Sequence, residues 1–229
     1  MSNAIQIPAA ALRYVLPHVG KESPRPALHG VHVATDGTMT ATNGTTLAVF
    51  RGGAAPSEGA PAVVLIFREP KRVGAAKVEN ILVDLPTTPN APAVVTLYDR
   101  RGAISGTTLA DMGECDSFPI EGIGALFRGW AARLLSPDGA PLPAIALDPA
   151  KVALFKIDGV QGARFTFSGA DRGVLVSWQN EPRAVGLLMP CRDYSEAEPT
   201  AALVAHLARE PMPEPVPEAA PEAPALVAA

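Results

Sequence analysis

The chain has 229 residues, 48% of them hydrophobic and 18% charged, with a formal net charge of −4. That length and apolar content allow a sizeable core in one or two domains, and the negative balance argues against indiscriminate binding to nucleic acid, though not against a local basic surface. There is no apolar run long enough for a membrane span, and the opening "MSNAIQIPAA" lacks the regions of a signal peptide, so a soluble cytoplasmic protein is expected.

In chain order, "IQIPAAALRYVLPHV" pairs a short β-type run with a Pro-initiated helix of roughly ten residues. Then "ALHGVHVATDGTMTATNGTTLAVF" predicts three strands, broken at Asp36-Gly37 and Asn43-Gly44. Its alternation predicts Thr40, Thr42 and Thr45 or Thr46 on accessible strand faces, with Leu47 as an apolar floor beside them. The design returns in "VVLIFREPKRVGAAKV", followed by "ILVDLP" and "AVVTLYDRRGAISGTTL" with a turn at Asp99 to Gly102. It returns again in "AIALDPAKVALFKIDGV", "ARFTFSGADRGVLVSW" and "AVGLLMP". Each unit reads as strand, helix and three antiparallel strands, which predicts an α+β protein whose units pair side by side and bury their helices together. Residues 120–144 hold a helical pattern, "IGALFRGWAARLL", without strands of their own, as in a unit reduced to its helix. From Asp193 onward the chain is rich in Pro, Ala and Glu and reads as a disordered tail.

Three stretches resemble the bacterial DNA polymerase III β sliding clamps. "SPRPALHGVHVATDGTMTATNGTTLAVF" is similar to that family's Arg-Pro-x-Leu-x-Gly-Val strand, Asp-Gly turn and Ala-Thr-Asp-Gly-x-x-Leu-Ala motif. "CDSFPI" is similar to the Phe-Pro closing its middle domain, and "AVGLLMPCR" to its Met-Pro-x-Arg terminus. The chain departs from the pattern at Asn43, usually Asp, and at Thr45-Thr46, often His-Arg. The resemblance implies the DNA-clamp fold, with residues 1–119 like the middle domain, 120–192 like half of the last domain, and 193–229 as the tail. A ring in that family has about twelve units, so three units per chain imply four chains, or three if residues 120–144 count as a unit.

The resemblance also implies two surfaces. One faces duplex DNA without reading sequence, and would use Arg13, Arg25, Arg68, Lys71, Arg72, Lys77, Arg128, Arg133, Lys151 and Lys156, with Arg68 and Arg72 sharing a helix face. The other is a cleft for a short motif carried by polymerases and repair proteins, lined by Thr42, Thr45, Leu47, Pro119, Ile123, Leu187, Met189 and Pro190. Without the resemblance, the cations read equally well as solvated helix faces, and Leu47, Leu187 and Met189 as core. The implied partners are duplex DNA, a motif-bearing DNA polymerase, a separate ATP-driven loader and further copies of the chain. A clamp-derived adaptor that does not encircle DNA is the alternative.

Catalysis is not expected. His29 and His32 fall on one predicted strand, three apart and on opposite faces, so they cannot jointly hold a metal. His18 reads as a helix-end residue, and Cys115 and Cys191 as free thiols. No nucleophile elbow, phosphate loop or dinucleotide fingerprint occurs, and Asp36, Asp99 and Asp171 are explained by turns, so no cofactor and no metal are expected.

Overall fold

Turn chemistry decides the early strand pairing. In the computed structural model, which describes residues 3–88, 91–126, 147–157, 160, 162–167 and 173–191, Asn43 and Gly44 join β3 (Met39–Thr42) to β4 (Thr46–Phe50). Gly44 has φ +88°, a region costly for residues with a Cβ. Asn43 Oδ1 accepts from the backbone N–H of Thr45 (3.0 Å) and Thr46 (2.8 Å) and from Thr45 Oγ1 (2.9 Å). Replacing Asn43 by Ala is therefore expected to cost about 1–2 kcal/mol in urea denaturation. A cost below about 0.3 kcal/mol would show that the Gly44 backbone alone holds the turn.

Before this hairpin come β1 (Ala4–Pro8), α1 (Ala9–Val15), 3-10 turns at Leu16–His18 and Pro26–His29, and β2 (Val31–Val33). After it come β5 (Ala55–Pro56), β6 (Val63–Phe67), α2 (Pro70–Val73), β7 (Asn80–Asp84), β8 (Ala93–Tyr98) and β9 (Ile104–Gly113). Residues 120–126 are helical. The last unit holds α3 (Pro149–Ala153), β10 (Ala163–Thr166), β11 (Val174–Trp178) and β12 (Glu181–Leu188). The repeat of strand, helix and three strands thus occurs twice in full. In the third unit, everything from α3 onward follows the same plan. The expected turn at 169–173, the rest of the helical pattern beyond 126, and the tail lie outside the described residues apart from Gly173. No described helix is long and apolar enough to cross a membrane.

Two helices are shorter than the sequence pattern predicts. α2 spans only Pro70–Val73, because Gly74 ends it and residues 75–79 lead directly into β7. α3 is five residues long, started by Pro149 and by Asp148, whose side chain accepts from Ala150 N–H at 2.8 Å.

The twelve strands among the described residues join one antiparallel sheet in the order β10-β11-β12-β4-β3-β2-β6-β9-β8-β7-β1-β5. The first two units exchange their opening strands. β1 pairs with β7 of the second unit (Ile5↔Val83, Ile7↔Ile81), and β6 pairs with β2 of the first (Val31↔Leu65, Val33↔Val63). The third unit joins the first where β12 pairs with β4, so Leu47 lies opposite Leu187 and Val49 opposite Val185.

Strand alternation then separates two apolar clusters. Ala48, Phe50, Val31, Val33 and Leu65 face the main core with α1, Phe155 and Trp178. Leu47, Val64 and Leu187 face the other side, where Leu28, Phe118 and Ile123 cover them. The hydroxyls expected on accessible faces are mostly buried. Thr40, Thr42 and Thr46 are 1%, 8% and 1% exposed, and only Thr45 is open. Each buried hydroxyl whose partner is defined is satisfied by a hydrogen bond. Thr42 Oγ1 donates to Thr46 O (2.7 Å) and accepts from Gly44 N–H (3.1 Å), while Thr46 Oγ1 lies 3.0 Å from His18 Nδ1.

Candidate functional site

The face bearing Leu47 and Leu187 is the candidate protein-binding surface. β4 and β12 place these leucines opposite one another although 140 positions of sequence separate them. Both are nearly closed off, at 5% and 3% exposure, beneath Leu28, Phe118 and Ile123. Leu47 is therefore not an open floor, because the segment after β9 folds across it. Pro119 is exposed and its carbonyl accepts from Ile123 N–H at 3.0 Å, starting the helical turn that carries Ile123 inward.

The open part lies one same-face residue pair further along β4 and β12. A groove of about 1620 Å³ has Val49, Val185 and Leu175 on its floor and Phe118, Pro119 and Ile123 on one wall. His32 also lines it, stacked on Phe118 with ring centroids 5.0 Å apart. Asp36, Asp116 and Glu121 line it too, against one arginine or lysine, Arg51, among the described residues. Sequence reasoning missed Leu28, although it sits in the quoted Arg-Pro-x-Leu stretch, and it missed Val49 and Val185. These two share a strand face with Leu47 and Leu187 at a spacing of two, a signal that was available.

The remaining predicted residues divide. Met189, 42% exposed, donates its N–H to Thr45 O at 2.9 Å, so these two and half-buried Pro190 form a lip beyond the leucine pair. Thr42 is enclosed in the turn and offers no surface.

The basic residues are less available than expected. Arg13 is spent on the fold: its Nε donates to Gly74 O (3.2 Å) and its Nη2 to Ala75 O and Val78 O (3.0 Å each), tying α1 to the chain after α2. Arg68 precedes α2, so it does not share a helix face with Arg72. It donates Nε and Nη2 to Asp111 on β9, the closest contact being 2.6 Å. That guanidinium holds the Asp111 carboxyl below its ordinary range. Arg72 pairs with Glu69 at 2.9 Å, and hydrogen bonds from Thr108 and then Arg72 lower the Glu69 pKa. Arg25, Lys71, Lys77, Lys151 and Lys156 form no ion pair among the described residues. Lys71 lies on α2 and Lys151 on α3, whereas Lys77 and Lys156 follow those helices. Arg128 and Arg133 lie outside the described residues.

His29 ends a 3-10 turn rather than sharing a strand with His32, and its Nε2 lies 2.7 Å from Ser23 O. Among the described residues, no three His, Cys, Asp or Glu side chains could hold one ion.

No family model and no curated protein matches the chain. Solved structures do. A DNA polymerase sliding clamp from Bacillus subtilis superposes with TM-score 0.53 at 19% identity, covering 84% of this chain and 65% of its own. The fold is that of a bacterial sliding clamp. The β sliding clamp of C. crescentus (TM-score 0.53, 17% identity) and that of Bartonella birtlesii bound to griselimycin (0.55, 13%) each cover 83% of this chain and 66% of their own. The chain thus spans just under two thirds of the length of these clamps, and the α+β clamp fold is what the likeness shows.

Proposed function

We propose that the protein is a sliding-clamp-like processivity factor, which encircles duplex DNA as a homo-oligomeric ring and holds partner proteins by short peptide motifs. One observation supports this reading: in a clamp fold, β12 pairs with β4 so that Leu187 lies opposite Leu47, with an open groove beside them that a peptide could occupy. Such a groove suits a peptide that inserts a few apolar side chains. Its acidic lining favours peptides flanked by Lys or Arg.

Arg25, Lys71, Lys77, Lys151 and Lys156 are the cations left for phosphate contacts, which position a duplex without reading sequence and so permit sliding. A DNA polymerase carrying the motif is the expected partner. Opening a closed ring falls to a separate ATPase, and the chain itself performs no catalysis. A second reading, a non-encircling adaptor that binds or competes for clamp-binding motifs, draws support from the internal use of Arg13, Arg68 and Arg72.

Retention on DNA separates the two readings. A ring stays on closed circular duplex after loading and slides off when the circle is cut, whereas an adaptor shows no such difference. For the groove, Val185→Glu is expected to weaken binding of an apolar, basic-flanked peptide at least about tenfold with little change in melting temperature. Unchanged affinity in that variant would remove the groove from the proposal.

A further inference from the structure

The third unit is one half of an arrangement that the first two units show complete. In those two, the strand following each helix, β2 or β7, has its outer edge taken by the opening strand of the other unit. β10 holds the same place after α3, yet it ends the sheet and pairs with β11 alone among the described residues. Burial follows the difference. β2 is buried at all three positions and β10 at none, while α1 buries five of its seven residues and α3 none. Val152, Phe155, Val160, Phe165 and Trp178 line an open cavity of about 300 Å³ beside α3.

We infer that a second copy of this chain covers this face, the α3 and β10 surfaces of two chains packing together about a two-fold axis into one composite domain. Exchange between the first two units is reciprocal, each giving the other one strand and receiving one. Two units related in that way are self-complementary, and a unit whose partner is not found among the described residues of its own chain finds the same complementarity in another copy. A small apolar ligand would fill the cavity and leave the β10 edge N–H and C=O groups unpaired. A polypeptide satisfies both. The inference stands on the repeat architecture and needs neither DNA nor peptide binding; association that leaves β10 exposed would overturn it while leaving the proposed ring standing. Two such pairs, joined through the outer edge of Ile104–Thr108 on β9, would supply the full complement of units for a ring.

The test uses the whole chain over roughly 1–100 μM, with mass read by light scattering and amide exchange read on the peptide spanning residues 163–166. Association in even multiples of the chain is expected, with exchange in β10 slowing in step. Val152→Arg is expected to weaken association roughly a hundredfold, while Val152→Leu keeps it. A chain that stays single throughout overturns the inference, as does association that leaves β10 exchange unchanged. Slow β10 exchange in a single chain at every concentration also overturns it, since the chain's own polypeptide would then cover the face. Because exchange is read on the unaltered protein, the test holds even if Val152→Arg misfolds.

Discussion

Lowering the pH from 7 to 4 is expected to destabilise the protein by about 3 kcal/mol through His18 alone. This imidazole is fully buried, with Nδ1 3.0 Å from Thr46 Oγ1, its ring centroid 4.6 Å from that of Phe155, and no partner for Nε2 among the described residues. Burial disfavours the charged form and pushes the pKa down to about 4, from an ordinary value of 6.5. The native state therefore binds fewer protons than the unfolded chain between those two values. The stabilising contribution is complete above pH 6.5, is lost as the pH falls towards 4, and changes no further below. His32 is shifted downward as well, by burial opposed by Asp36, and adds to the loss in the same direction. The lowered carboxyls of Asp111, Glu69 and Glu181 add theirs at lower pH, through the carboxylate range. Urea midpoints across pH 4–7 measure the slope, and His18→Leu should remove most of it. A variant as pH-sensitive as the parent would mean that His18 takes up its proton without disturbing the fold.

Removing the ring of Phe155 should cost about 3–5 kcal/mol. Phe155 is 2% exposed and packs against His18 of the first unit and against Phe165 and Trp178 of its own, while its carbonyl accepts from Trp178 Nε1 at 3.1 Å. It thereby links the third unit to the first. Gly186 on β12 makes room for it: a Cβ there would lie 2.5 Å from Phe155 Cε1 and 3.1 Å from Leu47 O. Gly186→Ala alone is expected to cost about 1–3 kcal/mol through overpacking. Combined with Phe155→Ala, the methyl enters the vacated space, so the double variant should be more stable than additivity predicts by at least about 1 kcal/mol. Costs additive to within about 0.3 kcal/mol would show that the two positions do not share that space.

Residue patterns were most informative where the chain interacts with its near neighbours. The Asp36-Gly37 and Asn43-Gly44 turns, the Asp99 turn and the repeated order of strand, helix and three strands all rest on contacts a few positions apart. Helix length was less legible, since the "EPKRVGAAKV" pattern continues past Gly74, where the backbone leaves the helix. Threonine exposure was misread for a related reason. Alternation defines two faces, but the partners that bury them are distant: His18 lies 28 residues from Thr46.

By itself the sequence determined the unit, its three occurrences and the α+β class, because turn residues, Pro-initiated helices and two-residue alternation are local properties of the chain. Only the tertiary structure decided which strands pair. It exchanged β1 and β6 between units, set Leu47 opposite Leu187, moved the open groove to Val49 and Val185, committed Arg13, Arg68 and Arg72 to internal partners, and left the outer edge of β10 unpaired among the described residues. Strand pairing and side-chain partnership depend on which surfaces meet after the chain has folded back on itself, and neighbours in sequence carry no record of that meeting.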